Sequence, residues 1–149
     1  MPSVNISNES LYIHIRSGDI FTYCPYYPYN QPPLCFYDNI LQNFDYTNIY
    51  IISSSIENPV IQKLINKYPN IIYNENPLKY DIAILIKAFN IVASISSFLT
   101  TIIQLNSNIN YLWDYNIYNI IQKIRHYHYD FYKFPLKSFV IYKMEPSFT

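Results

Sequence analysis

Leu11-Tyr-Ile-His-Ile-Arg-Ser-Gly-Asp19 is the stretch from which the fold of this 149-residue chain is best inferred. Its first five residues, Leu11 to Ile15, are a run of β-forming side chains, which predicts a buried strand. A polar turn follows at once and contains Gly18, the one glycine in the whole sequence. Because glycine reaches positive φ without steric cost and lets a ligand approach the backbone closely, this turn is the first candidate for a functional site.

Four side chains around that glycine have groups that can bind a ligand or take part in a reaction: the imidazole of His14, the guanidinium of Arg16, the hydroxyl of Ser17 and the carboxylate of Asp19. In α/β proteins, ligands bind at the carboxyl ends of strands, which is where these residues fall. An arginine at that position suits bidentate hydrogen bonds to phosphate oxygens. The alternative is a structural turn held by an Arg16–Asp19 ion pair, and these residues alone leave both interpretations open.

Strand and helix signals alternate along the chain, which predicts a parallel sheet with helical crossovers. We expect an α/β fold, a Rossmann-like three-layer sandwich with a mainly parallel sheet of about five strands. The chain should form a single domain, with a core at about 11–113 and a helix and strand extension at 114–149. The predicted strands are Leu11–Ile15, Asn48–Ser53, Asn70–Tyr73, Ile91–Ser94, Asn110–Trp113 and Phe139–Tyr142, and the predicted helices are Pro33–Gln42, Pro59–Lys67, Lys79–Phe89, Ser96–Leu105 and Tyr118–Arg125.

Composition excludes several classes of protein. A single glycine cannot build a P-loop or a dinucleotide-binding fingerprint, so any nucleotide must be held by side chains and helix ends. Ten basic and ten acidic residues leave no net charge and no basic stripe, which argues against nucleic acid as a partner. No apolar stretch approaches the ~20 residues of a membrane helix. The polar start Met1–Ser7 shows no signal peptide, so we expect the cytoplasm rather than the Golgi lumen.

The cysteines and histidines predict no metal site. Cys24 and Cys35 have no second cysteine pair nearby, so they are either free thiols or a loop disulfide. His126 and His128 would lie on one side of a strand, but two ligands without a nearby third are insufficient for a metal ion.

A second group of polar residues lies between Asp81 and Phe98. Asp81 is expected to open a helix near the strand ends, after which the chain returns through a strand to Ser94, Ser96 and Ser97. The free N–H groups and partial positive charge of a helix N-terminus, with hydroxyls beside them, form an anion site that needs no glycine. The alternative is that Asp81 and Ser96 are ordinary helix caps, each worth ~1 kcal/mol.

Together the two stretches resemble the GDP-fucose-dependent fucosyltransferases, most closely the α1,2 type and then the α1,6 type. The matching patterns are His-x-Arg-x-Gly-Asp at 14–19 and Asp-x3-Leu-x2-Ala … Ser-x-Ser-Ser-Phe between 81 and 98. In that superfamily an arginine of the first pattern contacts the donor pyrophosphate. Residues of the second pattern hold the guanosine and the phosphates. The resemblance runs from about Leu11 to Leu105.

The resemblance implies a glycosyltransferase of the GT-B type that uses GDP-fucose or a related GDP-sugar and needs neither metal nor cofactor. The sugar would be transferred with inversion to a hydroxyl of a glycan or glycoprotein. On this basis Arg16 is the phosphate ligand. Asp19 is the candidate base for the acceptor hydroxyl because it is the one carboxylate near this loop, although a structural ion pair with Arg16 would equally explain it. The residues implied in donor binding are His14, Arg16, Ser17, Gly18, Asp81, Ser96, Ser97 and Phe98.

Three departures from the family pattern bear on activity. Ser17 stands where the pattern usually has a second basic residue, and Cys24 stands where the α1,6 pattern has a glutamate as its base. The family fold also has two Rossmann-like domains with the acceptor bound between them. This chain corresponds to the donor-binding half, so a partner chain or a further domain would supply the acceptor site. The alternatives are a nucleotide-sugar- or glycan-binding module without turnover, and a structural α/β interaction protein.

Overall fold

The computed structural model describes residues 1–18 and 31–115, together with the backbone of two further strands at 129–133 and 140–144. Several predicted features lie outside the described residues: Asp19, Cys24, the helix at Tyr118–Arg125, and His126 with His128. The described residues form one sheet with helices on both of its faces.

Seven strands are described, and five of them run parallel. The parallel strands are β1 (Ser10–His14), β2 (Asn48–Ile52), β3 (Ile71–Tyr73), β4 (Asn90–Ala93) and β5 (Tyr111–Asp114). β6 (Tyr129–Lys133) and β7 (Val140–Met144) are antiparallel to each other, and β7 also pairs antiparallel with β5. The order across the sheet is β3-β2-β1-β4-β5-β7-β6.

Four helices link the parallel strands in sequence: α1 (Leu34–Asn43), α2 (Pro59–Lys67), α3 (Leu78–Lys87) and α4 (Ser97–Leu105). α1 and α2 pack on one face of the sheet, in a buried cluster that includes Phe36, Leu64 and Trp113. α3 and α4 pack on the other face, where Leu85 and Ile102 lie in a second buried cluster. The three layers confirm the predicted α/β, Rossmann-like fold class.

Local sequence signals explain where α2 begins. The side-chain Oδ1 of Asn58 accepts a hydrogen bond of 2.9 Å from the N–H of Val60, which makes Asn58 the N-cap. Pro59 occupies the first helical position, where a missing N–H costs nothing. Ile61 and Leu64, three residues apart, then bury one side of the helix against the sheet.

Beside the five parallel strands, the segment after residue 128 adds an antiparallel pair next to β5. One strand of that pair, expected at Phe139–Tyr142, lies at Val140–Met144. The other, β6, is not among the strands predicted above.

Candidate functional site

The strand order reverses between β1 and β4. From β1 the chain moves to β2 and β3 on one side, and then returns to the other side of β1 for β4 and β5. At such a switch point the loops after the two neighbouring strands diverge. They leave a crevice at the carboxyl edge of the sheet, which is where open α/β sheets bind their ligands.

A cavity of about 450 Å³ opens at this crevice, and residues of both sequence motifs line it. Gly18 is not among the lining residues, and Asp19 lies outside the described part of the chain. The predicted site residues that line the cavity are His14, Arg16, Ser17, Asp81, Ser96, Ser97 and Phe98. The other lining residues, which the sequence did not single out for this site, are Ile15, Ile52, Ser53, Ser54, Glu75, Asn76 and Leu78.

Ser94, buried at the end of β4, joins this strand to the end of β1. Its Oγ accepts a hydrogen bond of 3.1 Å from the backbone N–H of Arg16 and lies 3.0 Å from Nδ1 of His14. Its own N–H donates to the His14 carbonyl at 3.2 Å. These bonds fix the backbone from which the Arg16 side chain projects.

His14 is held as a neutral imidazole beside the cavity. Burial, with a smaller contribution from the positive charge of Arg16, lowers its pKa from the usual 6.5 to about 4. The ring of Phe98 lies 5.8 Å from the His14 ring, measured between centroids. Among the described lining residues, Arg16 therefore carries the permanent positive charge.

The turn after β1 is tied to the end of β2. The hydroxyls of Ser17 and Ser53 lie 2.7 Å apart, and both residues are buried. Gly18 has a φ of 77°, which confirms that the turn uses the positive φ available to glycine. No atom of the described residues would lie within 4 Å of a Cβ at this position, and it is the positive φ that requires the glycine.

The N-terminus of α4 borders the cavity at Ser96 and Ser97. Ser96 is the N-cap, its Oγ accepting a hydrogen bond of 3.3 Å from the N–H of Leu99, so the cap interpretation of this serine is confirmed. Ser97 is the first residue of the helix and is exposed. The partial positive charge of the helix end lies beside the same space as Arg16.

Asp81 lines the cavity but does not open α3, so that expectation was wrong. The N-cap is Pro77, helical residues begin at Leu78, and Asp81 comes at the end of the first turn. Its Oδ1 accepts a hydrogen bond of 3.2 Å from Nδ2 of Asn76. Burial raises the pKa of Asp81, and the bond from Asn76 opposes that effect.

Sequence reasoning missed four polar residues of the cavity: Ser53, Ser54, Glu75 and Asn76. Ser53 and Ser54 directly follow β2, and the other two follow β3 within three residues. No motif distinguishes them. The available signal was their position, because the carboxyl ends of all parallel strands share one edge of the sheet.

Among the described residues, no group of three or more His, Cys, Asp or Glu side chains is placed to hold a metal ion. None of the helices in the same part of the chain is long and apolar enough to cross a membrane.

No family model, curated protein or solved structure matches this chain. The support for a function therefore comes from the cavity and the residues that line it.

Proposed function

We propose that this chain is the donor-binding domain of an inverting glycosyltransferase whose donor is a GDP-sugar, GDP-fucose or a close relative. The observation that carries the proposal is that one cavity at the switch point of the sheet is lined by residues of both motifs, Arg16 and Asp81 among them. Its volume of about 450 Å³ lies within the range usual for small-molecule sites, roughly 300–1,000 Å³.

The distribution of charge along the cavity suits a nucleoside diphosphate. Arg16 and the N-terminus of α4 offer a guanidinium and a partial positive charge to the phosphates. Glu75 and Asp81 line the same cavity, and a carboxylate accepts paired N–H donors. Guanine presents two such donors side by side, at N1 and N2, whereas uracil presents a single N–H between carbonyl groups. This complementarity favours GDP over UDP.

In the proposed reaction, the acceptor oxygen bonds to the anomeric carbon of the sugar while the bond from that carbon to the β-phosphate oxygen breaks. The bonding electrons leave with the diphosphate, where Arg16 and the N–H groups at the start of α4 would stabilise the added charge. Removing one such preorganised donor typically costs ~3–4 kcal/mol of transition-state stabilisation. The acceptor proton needs a base, and Asp19 remains the predicted one.

Calorimetric titration with GDP, UDP and ADP tests the donor site. We expect selective GDP binding, and a 10- to 100-fold loss of GDP affinity in Arg16→Ala, because a hydrogen bond to a charged group contributes about 1.5–3 kcal/mol. Lys63→Ala is the matched control, since it removes one exposed positive charge on α2 that does not line the cavity. Both variants should unfold at the wild-type temperature.

Three outcomes separate the candidate functions. GDP-sugar binding, with sugar transfer once an acceptor or partner domain is added, supports the enzyme. GDP-sugar binding without transfer under any such condition supports a binding module without turnover. If no nucleotide binds, or if Arg16→Ala binds GDP as the wild type does, the proposal is wrong.

A further inference from the structure

We infer that Asn58, outside both motifs, is a positioning residue that holds the Arg16 loop in the conformation that binds the donor phosphates. The inference rests on the proposed function and adds to it a residue that does not line the cavity. Asn58 would act through Arg16 and not by touching the ligand.

The amide nitrogen of Asn58 is buried among three acceptors. Its Nδ2 lies 3.1 Å from the Arg16 carbonyl, 3.2 Å from Oγ of Ser17 and 2.9 Å from Oε1 of Gln31. The residue as a whole is 1% exposed, so water does not replace these bonds. Leaving a buried carbonyl without a donor costs free energy, so the Asn58 amide stabilises the observed backbone conformation at Arg16.

The oxygen of the same side chain has a different partner. Oδ1 accepts the hydrogen bond from the Val60 N–H that caps α2, and the Asn58 carbonyl accepts another, of 3.1 Å, from the N–H of Gln62. One side chain therefore connects the loop after β1 to the N-terminus of a helix whose Ile61 and Leu64 are fully buried. Arg16 and Ser17 are thereby tied to a rigid element.

Gln31 extends the connection to α1. Its Nε2 donates to the Tyr37 hydroxyl at 3.2 Å, and Tyr37 is fully buried within α1. Through Asn58 and Gln31, the Arg16 carbonyl is thus linked to both helices on this face of the sheet. A polar network whose members are satisfied restricts a loop to one conformation, which is what a phosphate ligand needs.

Two substitutions separate positioning from capping. Asn58→Ser keeps a side-chain oxygen that caps α2 but removes Nδ2, and Asn58→Ala removes both. We expect both variants to bind GDP about tenfold more weakly than the wild type, the effect of one lost hydrogen bond. Guanosine, which has no phosphates, should bind to all three proteins equally. The melting temperature of Asn58→Ser should exceed that of Asn58→Ala, because its cap is retained.

A role in capping alone predicts a different result: Asn58→Ser would bind GDP with wild-type affinity, which would overturn the inference. Equal losses of GDP and guanosine affinity would also overturn it, since they would indicate general disorder of the cavity and no specific effect on the phosphate end.

The double variant with Arg16→Ala tests whether Asn58 acts through the arginine. Once the guanidinium is gone, Asn58→Ser should cause no further loss of GDP affinity, whereas independent roles would give two losses that multiply. A multiplicative result refutes the inference. A wild-type chain that binds no GDP refutes the proposed function and the inference together, while wild-type binding with an unaffected Asn58→Ser variant refutes the inference alone.

Discussion

At the scale of single residues, His14 and Arg16 have different roles at the end of β1. Arg16 carries a fixed charge into the cavity, whereas His14, two positions earlier, is buried and neutral, with a pKa of about 4. Both are bonded to the same hydroxyl, that of Ser94. A charged imidazole at His14 would repel the guanidinium in a buried setting, so the neutral form is the one compatible with this arrangement.

The burial of His14 predicts that the protein loses stability as the pH falls. Because the folded-state pKa is below the unfolded value of 6.5, the unfolded chain takes up a proton first. The contribution of neutral His14 to the free energy of unfolding is complete above pH 6.5. It decreases as the pH falls from 6.5 to about 4, and it is constant below that. At about 1.4 kcal/mol per pH unit, the loss at pH 5 is about 2 kcal/mol relative to pH 7.

Urea unfolding of the wild type and His14→Gln at pH 7 and pH 5 measures this effect. The variant lacks the titrating group, so the difference in unfolding free energy between the two pH values should be about 2 kcal/mol smaller than in the wild type. Asp81, whose raised pKa acts in the opposite direction, is present in both proteins and cancels in the comparison. Identical pH dependence in the two proteins would contradict a buried, neutral His14.

At the scale of secondary-structure elements, the sequence predicts a helix well where its end signals are local. The limits of α2 agree with the prediction, Pro59–Lys67, because the Asn58-Pro59 cap is encoded in adjacent residues. For α3 the predicted start, Lys79, lies one residue from the observed start at Leu78. The error concerns Asp81, whose acidic side chain looks like a cap, whereas the N-cap is Pro77, which makes no side-chain cap hydrogen bond.

A further element-scale feature, the junction of α3 and α4, depends on one buried amide. Nδ2 of Asn106 donates to the carbonyls of Leu85 and Ala88 at 2.6 and 2.8 Å, which satisfies two groups at the C-terminus of α3. Asn106→Ala should lower the free energy of unfolding by about 2–4 kcal/mol, because both carbonyls would be buried without a donor. GDP affinity should be unchanged, since neither Asn106 nor the residues bonded to its side chain line the cavity.

Asn108→Ala is the matched control for this prediction. It removes the same side chain two residues later, at an exposed position whose one hydrogen bond through Nδ2 is 3.5 Å long. Its effect on stability, measured by urea denaturation, should be below about 0.5 kcal/mol. Equal effects of the two substitutions would show that the α3–α4 junction does not depend on the buried amide.

At the scale of the whole molecule, the predicted fold class is correct, but strand order and the membership of the site arise from tertiary structure. The alternation of strands and helices is enough to predict a parallel sheet. It does not predict that β1 lies between β2 and β4, which is what brings Arg16 and Ser96 to one cavity. Likewise, the antiparallel place of β6 at the far edge of the sheet depends on its pairing with β7, which local sequence does not specify.

The antiparallel strand beside β5 has a consequence for the stability of the sheet. β7 pairs with β5 from Tyr111↔Lys143 to Asp114↔Val140 and with β6 on its other side, so that β5 is an interior strand. A proline in β7 removes a ladder donor and leaves its acceptor unpaired. It would also expose the β5 edge, and an unprotected edge pairs readily with another chain.

Ile141→Pro therefore tests whether β7 completes the sheet, and Ile141→Val is its control because valine keeps the N–H and favours strands. One unpaired buried group costs about 1–3 kcal/mol, which for a chain of this size lowers the melting temperature by several degrees. We expect that decrease, with dimers or larger species in size-exclusion chromatography, for the proline variant, and wild-type behaviour for the valine variant. A monomeric proline variant that melts with the wild type would mean that β5 needs no partner on this side. The parallel strands alone would then form the stable unit that carries the cavity.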